Sequence, residues 1–336
     1  MQQQIENALV AALARYQERV EEPFRCDVAL SISQDADFFA SVAPSSEGIS
    51  ININTGVLDR VKSSWNNMLG NQAKLLPEHN IDLLGDPEHV VDMALRWLLQ
   101  HELNHFAVGH FLLTDGAAIC EGQHGAVHCV VERSTKNPRP QFAGFSTEEL
   151  ALVPLALELQ ADHDATEIVL GAYSPDNWAL FQYYATCIIM VMLLIERHER
   201  IHPNTGQSHP HAAARLFMLM GHLCELPHIP SIKRAHREGL AIVPPSYQPT
   251  LDELDGYNAA VIQPVYHASR ALADAAGVSG FWESVGPEDD FFEDVFRVIA
   301  HGYTNDLKTP GARQCAKLKP VSDKLLDIIE GLGGRP

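Results

Sequence analysis

Apolar residues recur along this chain with two different spacings, and these divide it into helical and extended stretches. Residues 3–21 carry apolar side chains every three or four positions and are followed by Pro23, which predicts an amphipathic helix. In residues 24–54, apolar and polar side chains alternate instead with the two-residue period of strands. They predict a small antiparallel sheet, in which Ile49 to Asn54 is either the edge strand or an inner strand.

Helical spacing dominates after residue 56. Asp86-Pro87 combines an N-cap with a proline at the first helical position, and predicts a long helix from there to about Leu113. A second long helix is predicted from the capping box Ser146-Thr147-Glu148-Glu149 to Gly171, although Pro154 either bends it or marks a later start.

These elements predict an α+β, mainly helical fold. Residues 1–225 are expected to form one domain, with the N-terminal helix, the sheet and both long helices. Residues 226–336 are expected to form a helical C-terminal region that is separate or packed into the same domain, and no catalytic group of residues is evident in it.

The first long helix contains His101-Glu102-Leu103-Asn104-His105, a His-Glu-x-x-His motif. Residues four apart are offset by only about 40° around a helix, so His101 and His105 can share a zinc ion. Glu102 would lie beside the metal, where its carboxylate can accept a proton from a zinc-activated water. His110 would face the opposite side of a continuous helix, and is expected to pack or form hydrogen bonds rather than bind metal.

A catalytic zinc ion needs a third protein ligand, and the second long helix offers Glu158. Asp162 follows one turn later on the same face. It is therefore predicted to bond the free ring nitrogen of a ligating histidine and so to fix the orientation of that ring.

Three motifs resemble the gluzincin metallopeptidases. Two are the His-Glu-x-x-His sequence and Glu158-x-x-Ala161-Asp162, and the third is His209-Pro210-x-x-x-x-Arg215, which is similar to a signature of the HtpX and CAAX prenyl protease group. Gly109-His110 also resembles the Lit phage-exclusion peptidases. The resemblance implies a zincin-like core with one Zn²⁺ per chain, with His209 near the substrate carbonyl and Arg215 supporting the site.

The expected function is therefore that of a zinc-dependent endopeptidase with Glu102 as general base and His101, His105 and Glu158 as ligands. The alternative from another class is a regulatory or partner-binding protein that retains a zincin fold with little or no turnover. For the peptidase, the substrate would be a protein or peptide. For the regulatory protein, the chain would bind a partner instead.

Charge narrows the choice of partners. The formal net charge of the 336 residues is −19, with 46% hydrophobic and 20% charged residues, as in an acidic globular protein. Such a surface repels nucleic acid and anionic membranes and attracts basic peptides. The first residues lack the basic and apolar regions of a secretory signal, so a cytoplasmic location is expected.

Two stretches leave alternatives open. Residues 178–195 are almost entirely apolar and predict either a buried core helix or a membrane segment of minimal length. Cys120, His124, His128 and Cys129 are either an ordinary loop or the ligands of a second metal ion, although their spacing fits no common structural zinc pattern.

Overall fold

The computed structural model of the protein describes residues 1–75, 86–113, 119–120, 142–202, 209–302 and 304–333. The fold is mainly helical with one small sheet, as the sequence predicted. The strands are β1 (Asp27–Ser33), β2 (Ala40–Pro44), β3 (Gly48–Asn54) and β4 (Ile119–Cys120). The helices are α1 (Gln2–Val20), α2 (Gly56–Leu75), α3 (Pro87–Ala107), α4 (His110–Leu113), α5 (Thr147–Leu170), α6 (Trp178–Ile201), α7 (Ala212–Glu225), α8 (Ile229–Arg237), α9 (Leu251–Tyr257), α10 (Gln263–Ala276), α11 (Phe281–Val285), α12 (Glu288–His301) and α13 (Pro310–Gly331).

The sheet is mixed, so the prediction of an antiparallel sheet was wrong. Its strand order is β1-β3-β2-β4, with β1 and β3 parallel and the other pairs antiparallel. β3 therefore lies between two strands and is not an edge. Its alternate residues Ile49, Ile51 and Ile53 are buried, because one face of the strand lies on the apolar core.

Helix α3 begins at the predicted cap, where the Asp86 side chain accepts a hydrogen bond from the backbone N–H of Glu88 at 3.3 Å. It ends at Ala107, earlier than predicted. Gly109 has a φ of 96°, a conformation that favours glycine, and the chain turns there before the short helix α4. His110 consequently does not lie on a continuation of α3, and its direction could not be derived from helical spacing.

Helix α5 begins at the predicted capping box and runs through Pro154, so the reading with a later start was wrong. The Ser146 side chain accepts from the backbone of Glu149, and the Glu149 side chain accepts from the backbone of Ser146 at 2.8 Å. Trp97 Nε1 donates to Thr166 Oγ1 at 3.1 Å and connects α3 to α5 in the core.

Helix α6 contains the apolar stretch at 178–195. By length and composition, residues Pro175–Ile201 could cross a membrane, and 67% of the apolar window is buried inside the protein. Helices α2, α3 and α10 pack around α6, and its residues 185–196 are buried. These contacts favour the core-helix reading, and the cytoplasmic location stays a prediction.

The C-terminal helices pack directly on the helices of residues 1–225. Helix α10 packs on α6 and α2, and α13 packs on α7 and α5. Val321, Leu325 and Ile329 of α13 join a second apolar cluster with Leu150 and Leu157 of α5. The last helix of the chain thus supports the back of α5.

The contact between α13 and α7 requires a residue without a side chain. A Cβ atom at Gly311 would lie 2.7 Å from the carbonyl oxygen of Ala213, whereas one at Gly331, at the other end of α13, would meet nothing within 4 Å. We predict that Gly311→Ala lowers the free energy of unfolding by about 1–3 kcal/mol through overpacking. Gly331→Ala is the control. Urea unfolding followed by circular dichroism measures both, and equal midpoints for the two variants would contradict the prediction.

Candidate metal centre

Four side chains from three parts of the chain converge in the core. His101 and His105 come from α3, Glu158 comes from α5, and His209 lies just before α7. Each has 6% or less of its surface exposed. The helical spacing of four residues places both histidines of α3 on one face, as the motif requires.

The ligand-type atoms of this cluster surround one carboxylate oxygen. Glu158 Oε2 lies 3.1 Å from His101 Nε2, 3.6 Å from His105 Nε2 and 3.0 Å from His209 Nε2. The Nε2 atoms of His101 and His105 are 3.2 Å apart. Ligand atoms about 2 Å from a tetrahedral metal ion lie roughly 3.3 Å from one another, so these spacings fit one ion. The His101, Glu158 and His209 cluster can hold a metal ion.

The other nitrogen of His101 contacts Asp162, the residue predicted to orient a ligating ring. His101 Nδ1 is 3.0 Å from Asp162 Oδ1. Arg215 donates to both oxygens of Asp162, from Nε and Nη2, at 2.6 Å each. Asp162 and Arg215 are both fully buried, so the ion pair anchors the imidazole of His101 to α5 and α7.

The other nitrogen of His105 is engaged by His110. The two Nδ1 atoms are 2.8 Å apart, and His110 Nε2 is 3.4 Å from Gln160 Oε1. Burial lowers the pKa of both histidines, so both are neutral near pH 7. Because Gln160 Oε1 can only accept, His110 carries its proton on Nε2 and accepts from His105 Nδ1–H. This chain of bonds leaves a lone pair on His105 Nε2, the atom that faces the cluster.

His209 is held in the same way, by Glu199 of α6. Glu199 Oε1 accepts from the backbone N–H of His209 at 2.9 Å and from its Nδ1 at 3.1 Å. The structure puts His209 Nε2 as close to Glu158 as His101 Nε2 is. His209 is therefore one of the four converging groups, and Arg215 reaches the site through Asp162. The place near a substrate carbonyl that the resemblance implied for His209 stays a prediction.

The carboxylates of the cluster favour positive charge on His101 and His209. Burial alone would lower the pKa of His101, but Asp162 and Glu158 raise it to about 10. Burial likewise opposes charge on His209, and Glu158 and Glu199 raise its pKa well above the usual range. Without a metal ion the cluster is neutralised by protons, and a cation can take their place.

Glu102, the predicted general base, is buried beside His101 in α3 with 2% of its surface exposed. Within the described part of the chain, no residue after His209 belongs to the cluster. The residues that the sequence offered either as ligands of a second metal ion or as an ordinary loop fall mostly outside the described residues. His124, His128 and Cys129 lie there, as does the side chain of Cys120.

The sequence predicted that His110 would pack or form hydrogen bonds, but it did not connect His110 with His105, and it did not indicate Glu199 as the partner of His209. Gly109 was the available signal for His110, because a glycine near the end of a helix often stops it. Glu199 had no local signal, since it is one of several charged residues at the end of α6.

Comparison of the chain with protein-family models, with curated proteins and with solved structures finds no match. The likeness to gluzincins therefore rests on the three sequence motifs.

The raised pKa values predict how metal stabilises the fold at different pH. A histidine whose pKa rises from about 6.5 to about 10 on folding contributes stability below its unfolded pKa, and this stability is lost as pH rises toward about 10. A bound metal ion replaces these protons. We expect the difference in melting temperature between zinc-loaded and metal-free protein to grow from about pH 7 to about pH 9.

Differential scanning calorimetry with one equivalent of zinc or with a chelator measures this difference. Cysteines and surface groups titrate in both samples, so their contributions largely cancel. His105 and His110, with lowered pKa values, are neutral throughout this range. A difference that is constant or shrinks with rising pH would show that the cluster does not exchange protons for metal.

Proposed function

We propose that this protein is a zinc-dependent endopeptidase of the gluzincin type. The observation that carries the proposal is the set of imidazole Nε2 atoms around Glu158, each with its Nδ1 held by a different partner. Metal-ligating histidines typically have the second ring nitrogen bonded in this way. A cluster built only for packing would have no need of three such partners.

In this proposal His101, His105 and Glu158 hold one Zn²⁺ per chain. When bound, zinc polarises the substrate carbonyl and lowers the pKa of water. Glu102 accepts a proton from the attacking water and later passes it to the leaving amine. The same carboxylate therefore acts first as a general base and then as a general acid. Asp162 and Arg215 keep the ring of His101 in place during these steps.

The proposed substrate is a protein or peptide. The net charge of −19 favours basic segments and disfavours nucleic acid, because like charges repel at the approach. The proposed location is the cytoplasm, where the cysteines stay reduced. Cys26, Cys187, Cys224 and Cys315 are free thiols.

One observation favours a second candidate, a protein that retains the metal without meaningful turnover. Catalytic zinc sites have three protein ligands and an open position, whereas structural sites are closed by four. His209 Nε2 lies at 3.0 Å from Glu158 Oε2, where it could serve as the fourth ligand. If it does so in the loaded protein, the centre is closed and the regulatory or partner-binding reading gains.

Glu102 separates a peptidase from a metal-stabilised binding protein. Glu102→Gln removes the proton acceptor but none of the proposed ligands, so we expect normal zinc content and a rate lower by about two to four orders of magnitude. Glu158→Ala should lose the zinc as well. A proteomic cleavage screen identifies a substrate, and metal analysis measures zinc in each variant.

Glu88→Gln is the control, because Glu88 is exposed at the start of the same helix and carries the same charge. It should keep both zinc and activity. If the zinc-loaded Glu102→Gln protein cleaves at nearly the wild-type rate, Glu102 is not the general base. If wild-type protein cleaves nothing, while a partner binds wild type and Glu102→Gln equally, the binding-protein candidate is favoured.

His209 distinguishes an open centre from a closed one. If the site is catalytic with three ligands, His209→Ala should retain zinc and lose activity, because His209 then assists the substrate rather than the metal. If four ligands close the site, the same change should lower zinc affinity markedly. Competition with a zinc chelator measures the affinity of wild type and variant. Retention of both zinc and activity would contradict either role.

A further inference from the structure

A second group of potential metal ligands lies on α5, on a different face from Glu158. His163, Asp164 and Glu167 have ligand-type atoms within 4.8 Å of one another. His163 and Glu167 are four residues apart and share one face of the helix. His163 Nδ1 contacts Asp164 Oδ1 at 3.2 Å, the kind of bond that orients a ligating ring.

A buried histidine of α7 lies against His163, one member of this group. The ring of His222 is centred 5.5 Å from the ring of His163. This spacing lies between those of the ring pairs in the first cluster, 4.8 Å for His101 with His105 and 6.2 Å for His101 with His209. His222 has 7% of its surface exposed, and its Nε2 has no hydrogen-bond partner among the described residues.

The unpartnered nitrogen needs an explanation, because buried polar atoms in native proteins are normally hydrogen-bonded. Burial lowers the pKa of His222 to about 3, so the ring is neutral and has a lone pair to offer. Several carboxylates lie near the neighbouring histidine, His163. Burial opposes charge on His163, but Asp164, Glu167 and Glu225 raise its pKa on balance.

We infer that His163, Glu167 and His222 bind a second divalent metal ion, with Asp164 orienting His163. Two imidazoles with a carboxylate favour a transition metal such as zinc over magnesium or calcium, which prefer oxygen ligands alone. The inference is independent of the proposed peptidase activity, since it uses none of the residues of the first centre.

The second ion would join two helices that also build the first centre. Helix α5 carries Glu158 and Asp162, and α7 carries Arg215. The Asp162–Arg215 ion pair already connects these helices, and His222 lies seven residues beyond Arg215, about two helical turns away. A metal ion between His163 and His222 would connect the two helices at a second point and would fix the position of α5 relative to α7.

Solvent can reach the proposed second metal site. Glu167 and His222 both line a cavity of about 720 Å³ between α5, α7 and α8. An ion could therefore enter and leave without unfolding of the core, and water could complete its coordination. The second centre would then exchange metal more readily than the first cluster, whose four side chains are nearly fully buried.

Zinc binding to the full-length chain tests the inference. Chelator-treated wild type, Glu167→Gln and His222→Leu are titrated with zinc chloride in a calorimeter, and Glu148→Gln is the control. Glu148 is exposed near the start of the same helix and undergoes the same loss of charge. We expect wild type and Glu148→Gln to bind one more equivalent of zinc than the other two variants, or to bind that equivalent at least tenfold more tightly.

Anomalous diffraction at the zinc edge gives the location. The expected result is a peak between His163 and His222 in wild type that is absent in Glu167→Gln. Unchanged stoichiometry and affinity in Glu167→Gln, or zinc peaks only elsewhere, would overturn the inference. Because Glu167 is exposed, this variant decides the matter even if His222→Leu does not fold. Failure of the first centre would appear separately, as a missing peak at Glu158.

Discussion

The buried ion pair between Arg215 and Asp162 is the contact on which the arrangement of the centre depends. Both side chains are fully buried, and Arg215 Nε and Nη2 each bond one carboxylate oxygen at 2.6 Å. Desolvation of two charges is costly, and removal of either partner from such a pair typically costs about 3–5 kcal/mol. The pair therefore confines α5 and α7 to one relative position. His101 contacts the same carboxylate, so α3 is held to both helices at this point.

The rest of the cluster follows from that constraint. Once α3, α5 and α7 are held together, the Nε2 atoms of His101, His105 and His209 all face Glu158. The same imidazoles have their Nδ1 atoms bonded to three different partners, which are Asp162, His110 and Glu199. Each partner prevents its ring from rotating away. The orientation of each ring is therefore set by its partner, and a cation could replace the protons that His101 and His209 carry.

The apolar interior makes this precision possible. Helix α6 runs through the core with residues 185–196 buried, and other helices pack around it. Glu199 projects from its end toward His209, so the same helix supplies both the packing and one orienting carboxylate. The last helix, α13, contributes apolar contacts to the back of α5. The C-terminal region, which carries no recognisable motif, therefore has a clear structural role, because it packs on α5, the helix that carries Glu158 and Asp162.

Local chemistry determined those features that depend on residues close together in the chain. The cap at Asp86, the capping box at Ser146 and the offset of His101 from His105 could all be derived from the sequence, since each involves at most one or two helical turns. Tertiary structure decided the rest. The inner position of β3 depends on which strands meet, the direction of His110 depends on the turn at Gly109, and the place of His209 beside Glu158 depends on the packing of α7. These contacts join residues far apart in the chain, and their energies come from burial and pairing that exist only after the helices have assembled.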